Sequence, residues 1–357
     1  MKRYLVTITD NIAPTSMPYH EFVLYRREHN PDEKQIVISV FKSSVNKLET
    51  IPDDLELHCI GKNVCRLKVL INDIVLRARK DEATLVFHIH EAKSVLLFHV
   101  ATKGKYKNQV VYTLHSTYKN YPWRNKLLCR LASKRCGVVV CVSKTSFKYY
   151  PAKLKRTLGE KICYIQNGVD IERIDQTLHL IQKQPNSLFT LIYVARFVEL
   201  KRHNLLLESL RGIPNLRLVL VGGGPLEQEL REKSQDLNVV FAGSLPRDKV
   251  YETLYQADAY VSTSSYEGLP VGVLEAMSCQ LPCLLSNIEQ HREIAERCPG
   301  VVLCDDTNWT IALKKLALRN REELQKEGFK NAFDVKKQFS LSSMHEKYEA
   351  IYKKAER

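Results

Sequence analysis

Short runs of aliphatic and β-branched residues alternate with helix-length amphipathic stretches along nearly the whole chain. Several runs, such as Val138–Val142 and Leu218–Val221, are almost continuously apolar, which is typical of strands covered on both faces. A repeating strand–helix pattern favours parallel sheets in a doubly wound α/β fold. Because 357 residues exceed what one hydrophobic core usually contains, we expect two such sheets, each in its own Rossmann-like domain.

This pattern predicts six strands in each half of the chain. They are Tyr4–Thr9, Gln35–Phe41, Leu85–Ile89, Val110–His115, Gly137–Ser143 and Ile162–Gln166, followed by Leu188–Ala195, Leu216–Val221, Asn238–Ala242, Ala259–Thr263, Leu281–Ser286 and Gly300–Cys304. The main helical patterns are Val64–Lys80, Arg124–Lys134, Lys144–Leu158 and Ser342–Ala355.

The predicted elements divide the chain into two domains and a final helix. We predict an N-terminal domain over residues 1–168 and a C-terminal domain over residues 169–338. The last segment, 339–357, is expected to return to the first domain as a helix. Ligands of open α/β sheets bind at the carboxyl ends of the strands, so we expect the functional loops to line a cleft that the two domains face.

Composition excludes several classes of protein. The longest apolar runs fall far short of the ~20 residues that span a bilayer, and no signal peptide is recognisable after Lys2 and Arg3. The ten cysteines include no Cys-x-x-Cys pair and stand mostly in apolar runs, which indicates reduced thiols rather than a disulfide framework. We therefore expect a cytoplasmic protein that associates peripherally with the inner face of the cell membrane.

The positive charge is concentrated in the first half of the chain. Of a net charge of +14, residues 1–175 carry +13, from 30 basic and 17 acidic side chains. Between Glu91 and Glu160 there are fifteen Lys and Arg residues and no Asp or Glu. Such a field favours an anionic membrane surface or a lipid pyrophosphate as partner, whereas nucleic acid is not expected because no nucleic-acid-binding motif is present. The helix Val64–Lys80 would contact the membrane or, equally, pack into the core.

The loop after the predicted strand Ala259–Thr263 carries two glutamates. Glu267 precedes a helix expected to begin near Pro270, and Glu275 lies inside that helix among apolar residues. The first turn of such a helix directs backbone N–H groups outward, which suits an anion. The helix dipole explains Glu267 but not Glu275, whose carboxylate needs a polar partner. The two hydroxyls of a ribose would be such a partner.

Two further strand-end loops carry cations and glycines. Arg196 and Lys201 follow the strand Leu188–Ala195 and suit a diphosphate, although solvated surface cations would look the same. Gly222–Pro225, which reads Gly-Gly-Gly-Pro, would allow a ligand close to the backbone or would simply form a tight turn. It is not a dinucleotide fingerprint, because Glu227 stands where the third glycine is needed.

Together with Asn167-Gly168-Val169-Asp170, these motifs resemble those of the retaining GT-B glycosyltransferases of family GT4. The resemblance covers about residues 162–295. The resemblance implies that Glu267 contacts the donor sugar as a catalytic residue and that Glu275 binds the ribose. It also implies that Arg196 and Lys201 hold the diphosphate of a nucleotide sugar. The remaining implied donor-binding positions are Gly223, Gly268, Leu269, Pro270 and Val271.

In the first half, Thr113-Leu114-His115 is similar to a strand-end histidine of the same family, which implies a catalytic role for His115. His88 and His90 stand near another strand end and are expected to shape the acceptor side. A zinc site formed by these three histidines is the alternative. The resemblance implies that no metal cofactor is required, in agreement with the lack of an Asp-x-Asp motif.

Two positions depart from the family pattern. The predicted loop Thr9–Pro18 has none of the glycines that are common there, which affects the expected acceptor geometry. Gln280 stands where a glycine usually ends the helix that contains Glu275. Because a left-handed cap strains glutamine, we expect this helix to end differently.

The resemblance implies transfer of a sugar, with retention, from a nucleotide sugar to a hydroxyl of a glycan acceptor. It also implies that the domain 1–168 binds the acceptor and that the domain 169–338 binds the nucleotide-sugar donor. UDP is the expected nucleotide, and a lipid-linked acceptor of bacterial surface polysaccharide synthesis is the expected substrate. Two alternatives remain: a nucleotide-sugar epimerase on the same fold and a non-catalytic partner protein. Acceptor-dependent turnover of the donor separates the transferase from both.

Overall fold

The structure, a computed structural model, describes residues 2–11, 18–41, 52, 55–184, 187–298 and 300–356. The chain forms two compact units, one of Met1–Asn167 with Leu341–Arg357 and the other of Gly168–Ser340. The predicted domain boundaries stood at residues 168 and 338. Part of the predicted glycine-poor loop Thr9–Pro18, residues 12–17, lies outside the described residues.

The first unit contains a parallel sheet of seven strands. The strands are β1 (Arg3–Thr9), β2 (Glu33–Ser39), β3 (Glu56–Cys59), β4 (Thr84–Ile89), β5 (Val110–Leu114), β6 (Val138–Cys141) and β7 (Ile162–Tyr164). The helices are α1 (Pro18–His29), α2 (Val64–Lys80), α3 (Ala92–Thr102), α4 (Trp123–Ser133), α5 (Lys144–Lys148) and α6 (Ala152–Leu158). The strand order is β3-β2-β1-β4-β5-β6-β7.

The second unit contains a parallel sheet of six strands. The strands are β8 (Phe189–Val194), β9 (Leu216–Val221), β10 (Val239–Gly243), β11 (Ala259–Ser262), β12 (Cys283–Ser286) and β13 (Val301–Cys304). The helices are α7 (Ile171–His179), α8 (His203–Leu210), α9 (Glu227–Lys233), α10 (Arg247–Gln256), α11 (Val271–Ser278), α12 (Glu289–Ala295), α13 (Trp309–Ala317) and α14 (Arg321–Gln338). The strand order is β10-β9-β8-β11-β12-β13. The predicted class, two doubly wound parallel sheets, is confirmed.

Two local predictions were incomplete. The short edge strand β3 was missed, because its four residues are only half-buried and lack a long apolar run. The predicted helix Lys144–Leu158 is two helices, α5 and α6, separated at Pro151. Proline lacks the backbone N–H that a continuous helix needs and restricts the residue before it, so the chain turns there.

The last helix, α15 (Leu341–Ala355), belongs to the first unit. Together with α1 it covers one face of the first sheet, while α2, α3 and α4 cover the other. A buried ion cluster fixes α15 to the sheet. The side chain of Arg26 on α1 is fully buried, bonds Oε1 of Glu33 on β2 through Nε at 2.9 Å, and pairs with Glu349 of α15. Arg3 of β1 bonds Glu33 and Glu349, each at 2.8 Å.

The expectation that α11 would avoid a left-handed end at Gln280 is wrong. Gln280 has φ = +63°, and the hydrogen bonds are those of a left-handed helix cap. The N–H of Leu281 donates to the carbonyl of Ala276 at 3.1 Å, and that of Gln280 donates to Met277 at 3.0 Å. Helix α14 packs against this turn, where Asn331 donates to the carbonyl of Leu281 at 2.9 Å. Tertiary packing therefore holds the strained residue.

The contact between α14 and this turn predicts the effect of one substitution. A Cβ added at Gly328 would lie 1.9 Å from the carbonyl oxygen of Gln280, so Gly328→Ala forces the two helices apart. We expect the free energy of unfolding to fall by about 1–3 kcal/mol, measured by urea denaturation. Lys330→Ala, at an exposed position of the same helix, is the control. An unchanged or raised stability of Gly328→Ala would contradict the packing described here.

Candidate functional site

In each sheet the strand order reverses once, between β1 and β4 in the first unit and between β8 and β11 in the second. Open α/β sheets bind ligands in the crevice at this reversal, beyond the carboxyl ends of the two strands. In the second unit the loops at this place are those after β8 and β11. They contain the predicted residues Arg196, Lys201 and Glu267.

The loops after β8 and β11 meet in an ion pair. Lys201 Nζ contacts Glu267 Oε1, and Ser264 Oγ donates to the same carboxylate oxygen at 2.6 Å. The side chains of Lys201 and Glu267 are 19% and 12% exposed, so the pair is largely buried but still reaches the surface. The structure therefore brings two of the predicted donor residues into direct contact, which neither motif alone implied.

Buried hydroxyl groups connect the two loops further. Tyr193 of β8 lies 2.9 Å from Ser264 Oγ and donates to the carbonyl of Lys201 at 3.1 Å. Thr263 Oγ1 lies within hydrogen-bond distance of the carbonyls of Lys201 and Arg202, at 2.9 and 3.1 Å. Arg202 in turn donates to the carbonyl of Thr263 at 2.6 Å. Because the backbone carbonyl of Lys201 and the carboxylate of Glu267 are both held by hydrogen bonds, the two residues are fixed in place, as a preorganised site requires.

Glu275 is buried within α11, where it is 1% exposed. Its carboxylate is paired with Arg247, at the start of α10. The sequence predicted that this carboxylate needs a polar partner but proposed only a ribose. The missing partner was Arg247, whose guanidinium also lies 5.8 Å from the ring centre of Tyr251. The Arg247 guanidinium is thus a counter-charge for this buried carboxylate, on the helix whose start is the expected donor site.

The start of α11 carries the remaining predicted positions. Gly268, Leu269 and Pro270 form the loop, Val271 begins the helix, and no side chain caps its first turn. The Leu269 side chain is buried, so only its backbone can meet a ligand. A Cβ at Gly272 would lie 3.2 Å from the Tyr260 hydroxyl, so the helix begins tightly against the sheet.

Arg196 and the glycines after β9 have different surroundings. Arg196 is exposed, and its side chain makes no hydrogen bond or ion pair to the described residues. Gly222 and Gly224 serve packing, because a Cβ would lie 2.1 Å from the carbonyl oxygen of Ala195 and 2.5 Å from that of Phe197. A Cβ on Gly223 would make only ordinary contacts. Among the three glycines, Gly223 is therefore the one at which the space for a side chain is not occupied by other protein atoms.

A separate cavity of about 480 Å³ opens at the amino ends of β8–β10. Its one charged lining residue, Asp236, is acidic. It lies at the wrong end of the strands for an α/β ligand site and offers no cation to a diphosphate. The switch-point loops remain the better candidate.

In the first unit, the predicted histidines have separate roles. His88 is buried and uses both ring nitrogens, at 2.8 Å from the hydroxyls of Tyr352 and Thr113. It therefore belongs to the core under α15 rather than to an acceptor surface. His90 Nδ1 and His115 Nε2 lie 2.8 Å apart. Burial lowers the pKa of His115 to about 4, so the imidazole is neutral near pH 7.

The zinc alternative receives no support. Within the described ranges, no group of three or more His, Cys, Asp or Glu side chains is arranged to hold a metal ion. Over the same residues, no helix is both long enough and apolar enough to cross a membrane.

Sequence reasoning missed an acidic pair at the switch point of the first sheet. Asp10 follows β1, and Glu91 follows β4. Glu91 Oε2 accepts the backbone N–H of Asp10 at 2.9 Å, and Ser94 Oγ donates to Asp10 Oδ1 at 2.6 Å. Burial, with the nearby Asp10 carboxylate, raises the pKa of Glu91 to about 8. Two acids, 81 residues apart in the chain, share one site only because β1 and β4 are neighbours.

The raised pKa of Glu91 predicts a pH dependence of stability. Because the folded state binds this proton more tightly than the unfolded state, the stabilisation is complete below about pH 4 and is lost as the pH rises towards 8. We expect Glu91→Gln to lose less stability than the wild type between about pH 5 and pH 8, by on the order of a few kcal/mol. Urea unfolding at several pH values measures the difference. The control is Glu229→Gln, whose carboxyl in the wild type has its pKa lowered by hydrogen bonds from Lys233 and Asn204, so the stability difference between this variant and the wild type should not vary over this range. If the difference in unfolding free energy between Glu91→Gln and the wild type stayed constant over this range, the raised pKa of Glu91 would be contradicted.

Comparison with known proteins agrees with this architecture. The family model for Glycosyltransferase Family 4 matches residues 20–173, and that for Glycosyl transferases group 1 matches residues 176–332. The putative glycosyltransferase EpsF of Bacillus subtilis is 32% identical over 36% of each chain. A phosphatidylinositol N-acetylglucosaminyltransferase from Arabidopsis thaliana is 27% identical over 78% of this chain, which spans 63% of that relative.

Two further matches complete the comparison. The UDP-Gal:alpha-D-GlcNAc-diphosphoundecaprenol alpha-1,3-galactosyltransferase of Escherichia coli is 26% identical over 72% of this chain and 73% of its own. The structure of Anabaena Alr3699/HepE in complex with UDP and glucose superimposes with a TM-score of 0.75 at 15% identity, covering 98% of this chain and 99% of the other. The chain therefore belongs to the family 4 glycosyltransferases, and its two parallel-sheet domains have the GT-B fold.

Proposed function

We propose that the protein is a retaining glycosyltransferase that moves a sugar from a nucleotide sugar to a hydroxyl of a lipid-linked glycan acceptor. The observation that carries the proposal is the buried contact of Lys201 with Glu267 at the switch point of the second sheet. Relatives support the substrate classes, since the E. coli relative is named for a UDP-sugar donor and a diphosphoundecaprenol acceptor, and HepE has been solved with UDP. Bacterial surface polysaccharide synthesis is the setting we propose.

The chemistry follows from where charge develops. When the bond from the sugar to the donor diphosphate breaks, negative charge grows on the leaving phosphate. Lys201, Arg196 and the first turn of α11 would stabilise it, so the proposal requires no metal ion. Glu267 would orient the sugar, Glu275 would accept the ribose hydroxyls, and His115 is the proposed catalytic residue of the first unit. Gly223 and the backbone of Gly268–Val271 would complete the donor site.

The Glu275–Arg247 pair fits this proposal. A carboxylate in the apolar interior stays ionised when a cation neutralises it, and an ionised carboxylate is the better acceptor for two hydroxyl donors. We therefore expect Arg247 to position Glu275 rather than to compete with the donor. Loss of the Arg247 side chain should raise KM for the donor more than it lowers kcat.

The test is a donor screen with and without acceptor. The protein is incubated with UDP-sugars and a lipid diphosphate-linked sugar, UDP release is measured, and the anomeric configuration of the product is determined by NMR. We expect acceptor-dependent release that is lost in Glu275→Gln and retained in Glu293→Gln, a substitution of another buried glutamate of the same unit. An epimerised UDP-sugar formed without acceptor, seen by NMR, would indicate an epimerase. Binding without turnover would indicate a non-catalytic partner, and inversion of configuration would refute the retaining mechanism.

A further inference from the structure

Three neighbouring helices of the first unit share an outer surface, the α2–α4 face. Seven large apolar side chains are exposed in the described part of this unit, and six of them lie on these helices. They are Val69 and Leu76 on α2, Val100 on α3, and Trp123, Leu127 and Leu131 on α4. Helix α3 packs against both α2 and α4, and all three cover the same side of the sheet. Apolar side chains clustered in this way mark an interaction surface.

The apolar ridge is clearest on α4. Trp123, Leu127 and Leu131 are 71%, 49% and 36% exposed. Their spacing of four residues places them along one line of the helix, and the buried residues Cys129 and Ala132 lie on the opposite side. The most outward line of this helix is therefore apolar, the reverse of an ordinary surface helix.

Positive charge surrounds the ridge. Arg124 is exposed on the same helix and Lys134 is exposed directly after its end, and the Arg124 guanidinium lies 5.4 Å from the Trp123 ring centre. The whole stretch between Glu91 and Glu160, which contains α3 and α4, has fifteen Lys and Arg and no acidic residue. A second copy of this chain would bring the same positive charge to the contact, whereas an anionic bilayer is complementary to it.

We propose that the α2–α4 face docks on an anionic lipid bilayer, with Trp123, Leu127 and Leu131 at headgroup level and the flanking Lys and Arg against lipid phosphates. An indole ring and leucines on one line with basic residues beside them are the features of helices that lie in a membrane interface. The proposal rests on the proposed function for its purpose, access to a lipid-linked acceptor, but the binding is measured without turnover.

The sequence left two roles open for the helix Val64–Lys80, membrane contact and core packing, and the burial of its side chains favours core packing. Most apolar residues of α2, including Leu67, Ile71 and Ile74, are buried in the core. Core packing therefore accounts for the apolar pattern of Val64–Lys80, and only Val69 and Leu76 remain for the surface. Helix α4 is the part of the face that we expect to insert.

The fluorescence of Trp123 can be used to measure its contact with the bilayer. The chain has two tryptophans, and the other, Trp309, is 1% exposed. We expect vesicles of phosphatidylcholine with phosphatidylglycerol to shift the emission of the full chain to shorter wavelength, and added salt to reverse the shift. Phosphatidylcholine alone should leave the spectrum unchanged. Trp123→Phe serves as the blank, since the buried Trp309 should not respond.

Vesicle sedimentation with matched variants identifies the surface. Trp123→Ser with Leu127→Ser should weaken binding at least about tenfold, and Arg124→Glu with Lys134→Glu should do the same. The controls are pairs on α14 of the second unit: Phe329→Ser with Phe333→Ser, where both side chains are likewise exposed and four residues apart, and Lys326→Glu with Lys330→Glu. Equal losses in α4 and α14 variants, or equal binding to neutral and anionic vesicles, would overturn the proposal.

Two further measurements separate this proposal from its rivals. Sedimentation equilibrium without vesicles should show the same molecular mass for the wild type and the Trp123→Ser/Leu127→Ser variant. A wild-type dimer that the substitution dissociates would mean instead that a second copy covers the face. UDP release with a soluble acceptor analogue should be equal in the two proteins. If neither protein releases UDP while vesicle binding behaves as expected, the proposed function fails and the docking surface stands.

Discussion

Lys201→Ala should reduce kcat/KM for sugar transfer by about 10²- to 10³-fold, the usual cost of removing one group that stabilises charge in a transition state. Lys201 is held between the loops after β8 and β11 and reaches Glu267 directly. Its ammonium is therefore fixed before a donor binds, where a diphosphate is proposed to leave. Steady-state rates of UDP release measure the effect.

The fold of this variant should be intact. Glu267 keeps the hydrogen bond from Ser264, and Thr263 keeps the carbonyl of residue 201, because that contact is to the backbone. Lys233→Ala, which removes an exposed lysine paired with Glu229 in the same unit, is the matched control and should leave the rate unchanged. A Lys201→Ala enzyme with nearly wild-type kcat/KM would remove Lys201 from the proposed mechanism.

Arg26→Ala should reduce the free energy of unfolding by about 3–5 kcal/mol, because it removes the buried cation that Glu33 and Glu349 share and leaves both carboxylates with Arg3 alone. The Arg26 side chain is fully buried, and that of Glu33 is 3% exposed. Glu349 of α15 loses the same partner and keeps Arg3. We expect α15 to detach most readily, so limited proteolysis should cleave it first. Urea denaturation gives the stability.

Acid should act on the same cluster. Burial favours the neutral form of Glu349, but hydrogen bonds from Arg3 and Arg26 outweigh it and lower its pKa to about 2. The stabilisation that the ionised Glu349 provides is therefore present at pH values above the pKa of this carboxyl in the unfolded chain, and it is lost as the pH falls from about 5 towards 2. Arg26→Ala should show a shallower loss over this range. Lys353→Ala, at an exposed position of α15, should match the wild type at every pH. A change below 1 kcal/mol in Arg26→Ala would show that the cluster does not anchor the helix.

The chain's pattern of apolar runs determined the fold class. Buried parallel strands are apolar on both faces, so β6 is visible as the run Val138–Val142 without any knowledge of its neighbours. The same holds for α2, whose predicted and observed bounds agree because the core side of an amphipathic helix is encoded within one segment. The family resemblance added the roles expected for Glu267, Glu275, Arg196 and Lys201.

Contacts between distant segments were decided by the tertiary structure. The partner of Glu275 is Arg247, Glu91 meets Asp10, and His90 meets His115, each across a connection between different strands. Strand order sets these pairs, and order is not written in local periodicity. The left-handed end at Gln280 shows the same limit, since a local rule predicted against it and packing by α14 overrode the rule. Local sequence fixes which segments become strands and helices, because that depends on nearby residues; the neighbours of each charged side chain depend on how those segments are arranged in space.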